Sequence, residues 1–409
     1  MSVARRHPIA LALIVLVLWS AADPLPGLVD VVTGVPATNA DLARPLGYVL
    51  FAPLSDVLDA LTFLSLDRAR VLLATWCVVL ALWGGLRPGA WWRRLGRAVA
   101  GPAVLGALAV AAVLLPRPVP RIVVADSALT IIDYHAHTEA SHDGRPGWSV
   151  FDLARWHVAQ GFQASYVTDH NHLFDGHLDG PTPIRLLPGA EWSVYRQHVL
   201  ALGEVQPIDR TRYDRDTPSL LTLFPELHRH GALVVASIPE YWESHWDDLD
   251  DFVRAGIDGF EIANCAPKAI GFPDAARARV VALARRHDLL VVGGSDNHGW
   301  GRVTCVWNLA SPSVHGYETN HVLVRPLAAL QGESRAWTAP YTQGWFMLRS
   351  LSWPERMSWL TWILVVLIYR ITPRRAGDPR GLGILARSLK LRALLPLRRK
   401  VLDGDPPAS

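Results

Sequence analysis

The sequence predicts an α/β fold, a parallel sheet closed or nearly closed into a barrel, with transmembrane helices on either side. Three observations predict it. From Ala128 onward, short apolar runs alternate with amphipathic stretches in repeated β-then-α order. The strand runs are almost wholly apolar, as parallel strands covered on both faces are. Elsewhere the apolar residues gather in a few long runs, which lifts the hydrophobic share of the 409 residues to 50%.

Taken in order, the first apolar run is Pro8–Ala22, which follows Arg5, Arg6 and His7. It reads as a membrane anchor or as a signal peptide, with Ser20-Ala21-Ala22 as a loose cleavage site. Arg70–Leu86 and Ala98–Leu115 are each near the length that crosses about 30 Å of hydrocarbon. Ser352–Tyr369 is a fourth candidate, with Trp353, Trp359 and Trp362 near its start as interfacial anchors.

Basic residues orient these segments. Arg5 and Arg6 precede the first, Arg87, Arg93, Arg94 and Arg97 join the second and third, and a long basic stretch from Arg370 to Lys400 follows the fourth. Placing all three groups in the cytoplasm requires four crossings, with residues 116–351 outside. The acidic stretch Asp23–Asp67 suits an external loop, while Arg117 and Arg121 run against the pattern. Leu46–Leu66 is also fairly apolar. Asp56 and Asp59 lie on one helical face there, which favours an amphipathic helix at the interface. A crossing at that point would reverse the topology and make the large domain cytoplasmic. The tail from Gly381 to Arg399 mixes leucines with basic residues and is expected on the inner membrane surface.

The expected organisation is therefore a membrane region over 1–120 with about three transmembrane helices, a barrel over 121–350, a transmembrane helix over 351–371 and a basic cytoplasmic tail over 372–409. This describes an integral protein of a bacterial-type inner membrane, its catalytic domain extracytoplasmic.

Within the barrel region, Leu129–Tyr134 reads as a strand, Val150–Gln160 as a helix and Ala164–Thr168 as a strand. Ile184–Ser193 and His198–Gly203 follow as strands. Ser219–His230 is a helix, and Ala232–Ser237, after Gly231, a strand. A helix at Asp248–Ala255, the strand Gly259–Ala263, the helix Pro273–His287 and the strand Leu289–Gly293 complete the alternation. Function in such sheets gathers at the carboxyl ends of the strands.

That is where the histidines fall. Of sixteen, fifteen lie between His135 and His321. Histidine is the commonest metal ligand, so this clustering points to a site. In an extended segment His135 and His137 face the same way and can share an ion. Three cysteines show no Cys-x-x-Cys spacing; Cys265 and Cys305 fall in one predicted domain and are free to bridge, which the sequence leaves open. The net charge of +3 says little by itself, because the basic residues are concentrated at the membrane-flanking ends, and no nucleic-acid partner is inferred.

The motifs run in a definite order: Asp133-Tyr134-His135-Ala136-His137 with Thr138, Ser141-His142-Asp143-Gly144, Thr168-Asp169-His170-Asn171, Gly189-Ala190-Glu191, His198 through Gly203, and Gly294-Ser295-Asp296-Asn297-His298. Over roughly residues 130–300 this set resembles the PHP (polymerase and histidinol phosphatase) superfamily. The resemblance implies a distorted seven-stranded βα barrel, a (βα)7 barrel, holding two to three divalent ions. It implies His135, His137, Glu191 and Asp296 around the first ion, which makes these four the catalytic residues. Glu191 would bridge to a second ion bound by His198, and Asp143, His170 and His298 would hold a third. Asp143 matches the family motif only with one residue inserted, which leaves His142 as a rival.

One departure stands out. Where the family has a histidine before a proline, this chain has Ile238 before Pro239. Glu240 or His245 substitutes, or the second position is weak or empty. The remaining histidines, His157, His172, His177, His228, His230, His287, His315 and His321, match no motif and read as solvated or structural, with His172 the nearest to a motif. Asp169 reads as orienting His170 or capping its loop. The stretch from Gly259 to Asn264 resembles a family strand, which implies Glu261 and Asn264 at the border of the expected pocket. The tryptophans from Trp300 to Trp345 read as packing before any role in substrate access.

The implied activity is hydrolysis of phosphate mono- or diesters through metal-bound hydroxide. Zinc, manganese or iron all suit the mixed ligand set. Arg145, Arg196 and Arg302 adjoin motif residues and are the candidate phosphate contacts. Expected partners are a phosphorylated small molecule or an envelope or lipid component, together with membrane lipids. The alternative is a catalytically silent metal-binding or sensory module. A transporter fits poorly, because the apolar runs carry no charge pairs.

Overall fold

The computed structural model describes residues 7–178, 180–203, 206–313, 316–332 and 335–371. The basic tail 372–409 and His315 lie outside the described residues. By its contacts the chain divides into Ile14–Leu360 and a second unit made of Met1–Leu13 with Thr361–Ser409. Residue 120 is no border. The strands β1 (Val29–Asp30) and β2 (Val35–Pro36) form a hairpin, and β3 (Ala40–Ala43) pairs with β4 (Arg121–Val124).

The mixed α/β character stands, but the strands do not close into one barrel. β5 (Thr130–Asp133), β6 (Ala164–Tyr166) and β7 (Arg185–Leu187) run parallel, as expected. They belong to a seven-stranded sheet of order β2-β1-β14-β13-β5-β6-β7, in which β13 (Val306–Ser313) and β14 (Gly316–Val324) form an antiparallel hairpin. β8 (Gly189–Val194), β9 (Gln197–Leu202), β10 (Leu233–Ser237), β11 (Gly259–Asn264) and β12 (Leu290–Gly294) make a separate five-stranded sheet. There β10, β11 and β12 are parallel, and β9 is antiparallel to both neighbours.

The stretch Ile184–Ser193, expected as one strand, is two. Pro188 has no N–H to give to a ladder, so β7 ends in one sheet and β8 begins in the other. The two sheets touch through isolated bridges, Ala136 to Asn297 and His170 to Glu191. Each bridge lies within a ligand motif. The seam between the sheets is therefore where the expected ligands meet. A buried apolar cluster that includes Tyr134, Tyr166, Leu200, Val235 and Val292 draws on both sheets beneath it.

Helix Val150–Gln160 matches its expected bounds and opens with a capping box between Ser149 and Asp152. The helix expected over Ser219–His230 is two short ones, Thr217–Leu221 and Leu223–Arg229. Pro225 sits in the first turn of the second, where a missing N–H costs nothing. Cys265 and Cys305 form a disulfide that ties the loop after β11 to the start of β13.

Two helices, Leu66–Leu86 and Trp91–Leu114, are long and apolar enough to cross a membrane. The first apolar run is a shorter helix, Pro8–Trp19, extended by a 3-10 turn to Ala22. Helix Trp353–Ile371 has the length, but Glu355 and Arg356 at its start are buried in protein. Glu355 pairs with Arg44 at 2.7 Å, and Arg356 donates to the Val17 carbonyl at 3.0 Å.

The interfacial helix expected over Leu46–Leu66 is Leu46–Leu50 followed by Ala52–Thr62. Asp56 and Asp59 share a face as expected, yet that face is buried, at 6% and 2% exposure. Asp59 meets Arg117 at 3.0 Å and Arg325 at 2.8 Å, and Trp359 Nε1 donates to Asp56 at 2.8 Å. Arg117 is thus an internal partner rather than a misplaced outer charge.

Candidate metal centre

β5 ends at Asp133, and the extended backbone beyond it turns His135 and His137 to one side, both fully buried. Their outer nitrogens are fixed. His135 Nδ1 lies 3.2 Å from each oxygen of Glu261, and a carboxylate accepts, so Nδ1 carries the hydrogen. His137 Nδ1 lies 2.8 Å from Ser141 Oγ, which donates to Asp169 at 2.9 Å and so accepts from the ring. His298 Nδ1 faces the Asp296 carbonyl at 3.0 Å. In a neutral ring each arrangement leaves Nε2 as a bare lone pair aimed inward. Asp169 also takes bonds from Thr138 N and Oγ1, so its side chain caps the loop 138–141 rather than that of His170.

The inward atoms converge. Glu191 Oε2 is 3.1 Å from His135 Nε2, 3.3 Å from His137 Nε2 and 2.9 Å from His170 Nδ1. Its other oxygen is 2.7 Å from His198 Nδ1. Asp296 Oδ1 is 3.1 Å from His137 Nε2 and 3.6 Å from His135 Nε2. Asp143 Oδ1 is 3.1 Å from His298 Nε2 and 3.8 Å from His170 Nε2. Among the described residues, His135 Nε2, His137 Nε2, His298 Nε2, Asp296 Oδ1 and both Glu191 oxygens are buried without a hydrogen-bond partner. Buried polar groups are rarely left so. Six of them at one seam fit a divalent cation, whose charge engages lone pairs that cannot bond to one another.

For the two carboxylates and His137 the electrostatics agree. Burial works to raise Glu191, but the His135 and His198 imidazoles outweigh it and hold the carboxyl well below its usual range. Burial likewise opposes, and His135, His137 and His298 override it, in keeping Asp296 ionised. Burial, with His298 beside it, pushes His137 down to about 4. These are the protonation states that bind metal. Against burial, the carboxylates draw protons onto His135, and Asp143 and Asp296 raise His298 to about 9. A cation satisfies that negative excess equally well.

Four overlapping triads have ligand atoms within 4.8 Å of one another: His135–His137–Glu191, His137–His170–His298, His170–Glu191–His198 and His142–Asp143–His170. Seven of the eight expected ligands fall in these triads, and Asp296 joins them through His135 and His137. His170 differs from expectation by turning one nitrogen to Glu191 and the other to Asp143, so it stands between two positions. His142 lies outermost and largely exposed, while Asp143 faces His298. Ile238 is buried and apolar. His245 does not replace it, because its nitrogens meet Asp248 at 2.9 Å and the Tyr195 carbonyl at 2.8 Å. Glu240 does line the cavity at the site.

The three candidate arginines lie apart from that cavity. Arg145 donates to the Gly299 carbonyl at 3.2 Å and Arg302 to the Leu114 carbonyl at 2.7 Å. Arg196 is exposed in the β8–β9 turn, where its φ is +58°. Lys268, which sequence reasoning passed over, is the one lysine or arginine among the described lining residues, and it pairs with Glu240 at 3.1 Å. Its position four residues after the end of β11 was the available signal. Trp300 lines the cavity too, donating to the Asp143 carbonyl at 3.1 Å, whereas Trp307 is packed. His157 is structural, bonded to Asp133 at 2.9 Å, and His172 is exposed outside the lining.

Two backbone features shape the floor. A Cβ on Gly294 would stand 2.1 Å from Glu261 Oε1 and 2.4 Å from His135 Cβ, so only glycine fits. Asp296 holds φ at +48°, a left-handed conformation that a non-glycine residue adopts at some cost.

Glu261 has a clear expected effect. In Glu261→Gln the amide is able to donate to His135 Nδ1, which reverses the tautomer. Metal affinity falls about 10- to 100-fold, read by competition against a chromogenic chelator. Unchanged affinity refutes the tautomer argument.

No protein-family model matches the chain, and no curated protein matches it. Among solved structures it is similar to a candidate metal-dependent phosphoesterase from Bifidobacterium adolescentis, at 20% identity over 42% of this chain and 88% of that one, with a TM-score of 0.33. It is also similar to PsfC from Pseudomonas syringae, at 18% identity over 50% of this chain and 94% of that one, with a TM-score of 0.37.

Proposed function

We propose that this chain is a membrane-anchored, metal-dependent phosphoesterase acting on phosphate mono- or diesters. The observation that carries the reading is the convergence of buried, unpartnered lone pairs of His135, His137, Glu191, Asp296 and His298 on one seam. His135, His137, Glu191 and Asp296 would hold one ion, Glu191 with His198 and His170 a second, and Asp143, His298 and His170 a third. Divalent ions there supply Lewis acidity and a lowered pKa for water; the donor set suits zinc, manganese or iron.

The chain's own residues do the positioning. Asn264 donates to Asp296 Oδ2 at 3.0 Å and holds that carboxylate in place. Lys268, steadied by Glu240, is the cation for the substrate phosphate. Anchoring rests on the two long apolar helices and the arginine distribution. An extracytoplasmic site is supported by the Cys265–Cys305 disulfide, since such bonds persist in oxidising compartments. The substrate is a phosphorylated small molecule or an envelope component, with membrane lipids as neighbours.

The test uses the full chain in detergent, because residues before 120 supply strands to the domain. With manganese or zinc it hydrolyses a generic phosphomonoester or diester, a chelator stops it, and the His135→Ala/His137→Ala variant does not turn over. Equal activity in both proteins, or none with any metal, sinks the proposal. The buried Ile238 favours a second reading, a catalytically silent metal-binding or sensory module. One chelator-resistant ion per chain without turnover selects it.

A further inference from the structure

The cavity at the centre, about 820 Å³ and open to the outside, is lined by two groups of opposite chemistry. One group is Asp143, His170, His198, Asp296 and His298, with Lys268. The other is a wall of side chains that includes Leu61, Phe63, Leu66, Ala69, Leu73 and Val113. Leu66, Ala69 and Leu73 are spaced three and four apart, so they form one stripe on helix Leu66–Leu86. Val113 comes from helix Trp91–Leu114. Among the described residues these are the two helices long and apolar enough to cross a bilayer. Their outer faces expose large apolar side chains, among them Val79, Leu82, Val99 and Val104. The same helices thus carry one apolar surface outward and another into the cavity. The junction is fixed, because Leu66 N donates to the Pro267 carbonyl at 2.9 Å, next to Lys268.

A small hydrophilic phosphoester gains nothing from such a wall. Resting on the phosphoesterase reading above, we propose that the substrate is an amphiphile, a phosphoester whose hydrocarbon chain lies along Leu66, Ala69 and Leu73 while its phosphate meets Lys268 and the ligand constellation. From Leu66 to Leu73 the stripe rises about 10 Å, room for several methylenes. Burying each methylene is worth roughly fourfold in affinity as an upper figure.

The test compares methyl and octyl p-nitrophenyl phosphate as substrates of the full chain in dodecyl maltoside with manganese, beside Ala69→Trp. Binding of methyl and octyl phosphonate is measured calorimetrically in parallel. The octyl ester is expected to exceed the methyl ester at least about 100-fold in kcat/KM, and octyl phosphonate to bind correspondingly more tightly. In Ala69→Trp the octyl-to-methyl ratio of kcat/KM falls tenfold or more. Partition into micelles raises the octyl signal equally in both proteins, so the variant isolates the wall. Equal rates for the two esters, or an octyl advantage untouched in a folded variant, overturn the proposal. If Ala69→Trp loses both reactions, Leu73→Asn replaces it, and the wild-type phosphonate affinities still decide. Hydrolysis of neither ester with any metal counts against the phosphoesterase reading instead.

Discussion

On the proposed phosphoesterase reading, replacing Glu191 with glutamine is expected to lower hydrolysis by about 10²- to 10³-fold, the scale of losing a principal electrostatic stabiliser. Metal bound per chain falls with it. Among the described residues Glu191 is the one carboxylate that faces four imidazoles, those of His135, His137, His170 and His198. The amide has the same shape but offers one acceptor in place of two and no charge, so any ion shared through this group loses its bridge. The unfolding midpoint changes little, because the side chain makes no hydrogen bond that the fold depends on. Elemental analysis and turnover are read on the same preparation. Full metal content with activity within tenfold of wild type removes Glu191 from the centre.

The second large effect is on stability. Asp59→Ala destabilises the Ile14–Leu360 unit by roughly 3–5 kcal/mol, the cost of stranding buried charges by removing their partner. Two guanidinium groups lose their carboxylate at once. The Arg117 and Arg325 side chains are only 6% and 12% exposed. Asp59→Asn keeps the shape and a hydrogen-bond acceptor for Tyr48, which lies 2.9 Å from Asp59 Oδ2, yet removes the charge and falls between alanine and wild type. Denaturant unfolding of the full chain in detergent measures both variants. A loss under about 1 kcal/mol means that these pairs behave as surface pairs do.

The ligand motifs were legible because each is local. Asp133 through His137, or Gly294 through His298, needs only a strand end to aim its side chains, and the strand ends were placed within a residue or two. Pairing between distant segments was not legible. Pro188 in an apolar run looks like a strand irregularity until β7 and β8 are seen to enter different sheets. The β13–β14 hairpin lies in a stretch that breaks the β-then-α rhythm, so the sequence offers no expectation of strands there.

Charge was misread where burial reverses its meaning. Asp56, Asp59 and Arg117 look like solvent or interface residues singly, and only their meeting across the fold shows them as internal partners. Arg145, Arg196 and Arg302 were chosen for adjacency along the chain. Lys268, distant in sequence from most of the motifs, is what the fold brings to the cavity.

The hairpin of β1 and β2 has a practical consequence. Val29 and Asp30 pair with Val324 and Leu323 along β14. A fragment begun at residue 120 leaves that rim of the large sheet bare, and unpaired rims recruit other chains. Such fragments are expected to precipitate or to associate edge to edge, whatever the state of the distant ligands. The amino-terminal stretch thus serves as a selvedge, woven in before the cloth it keeps from fraying.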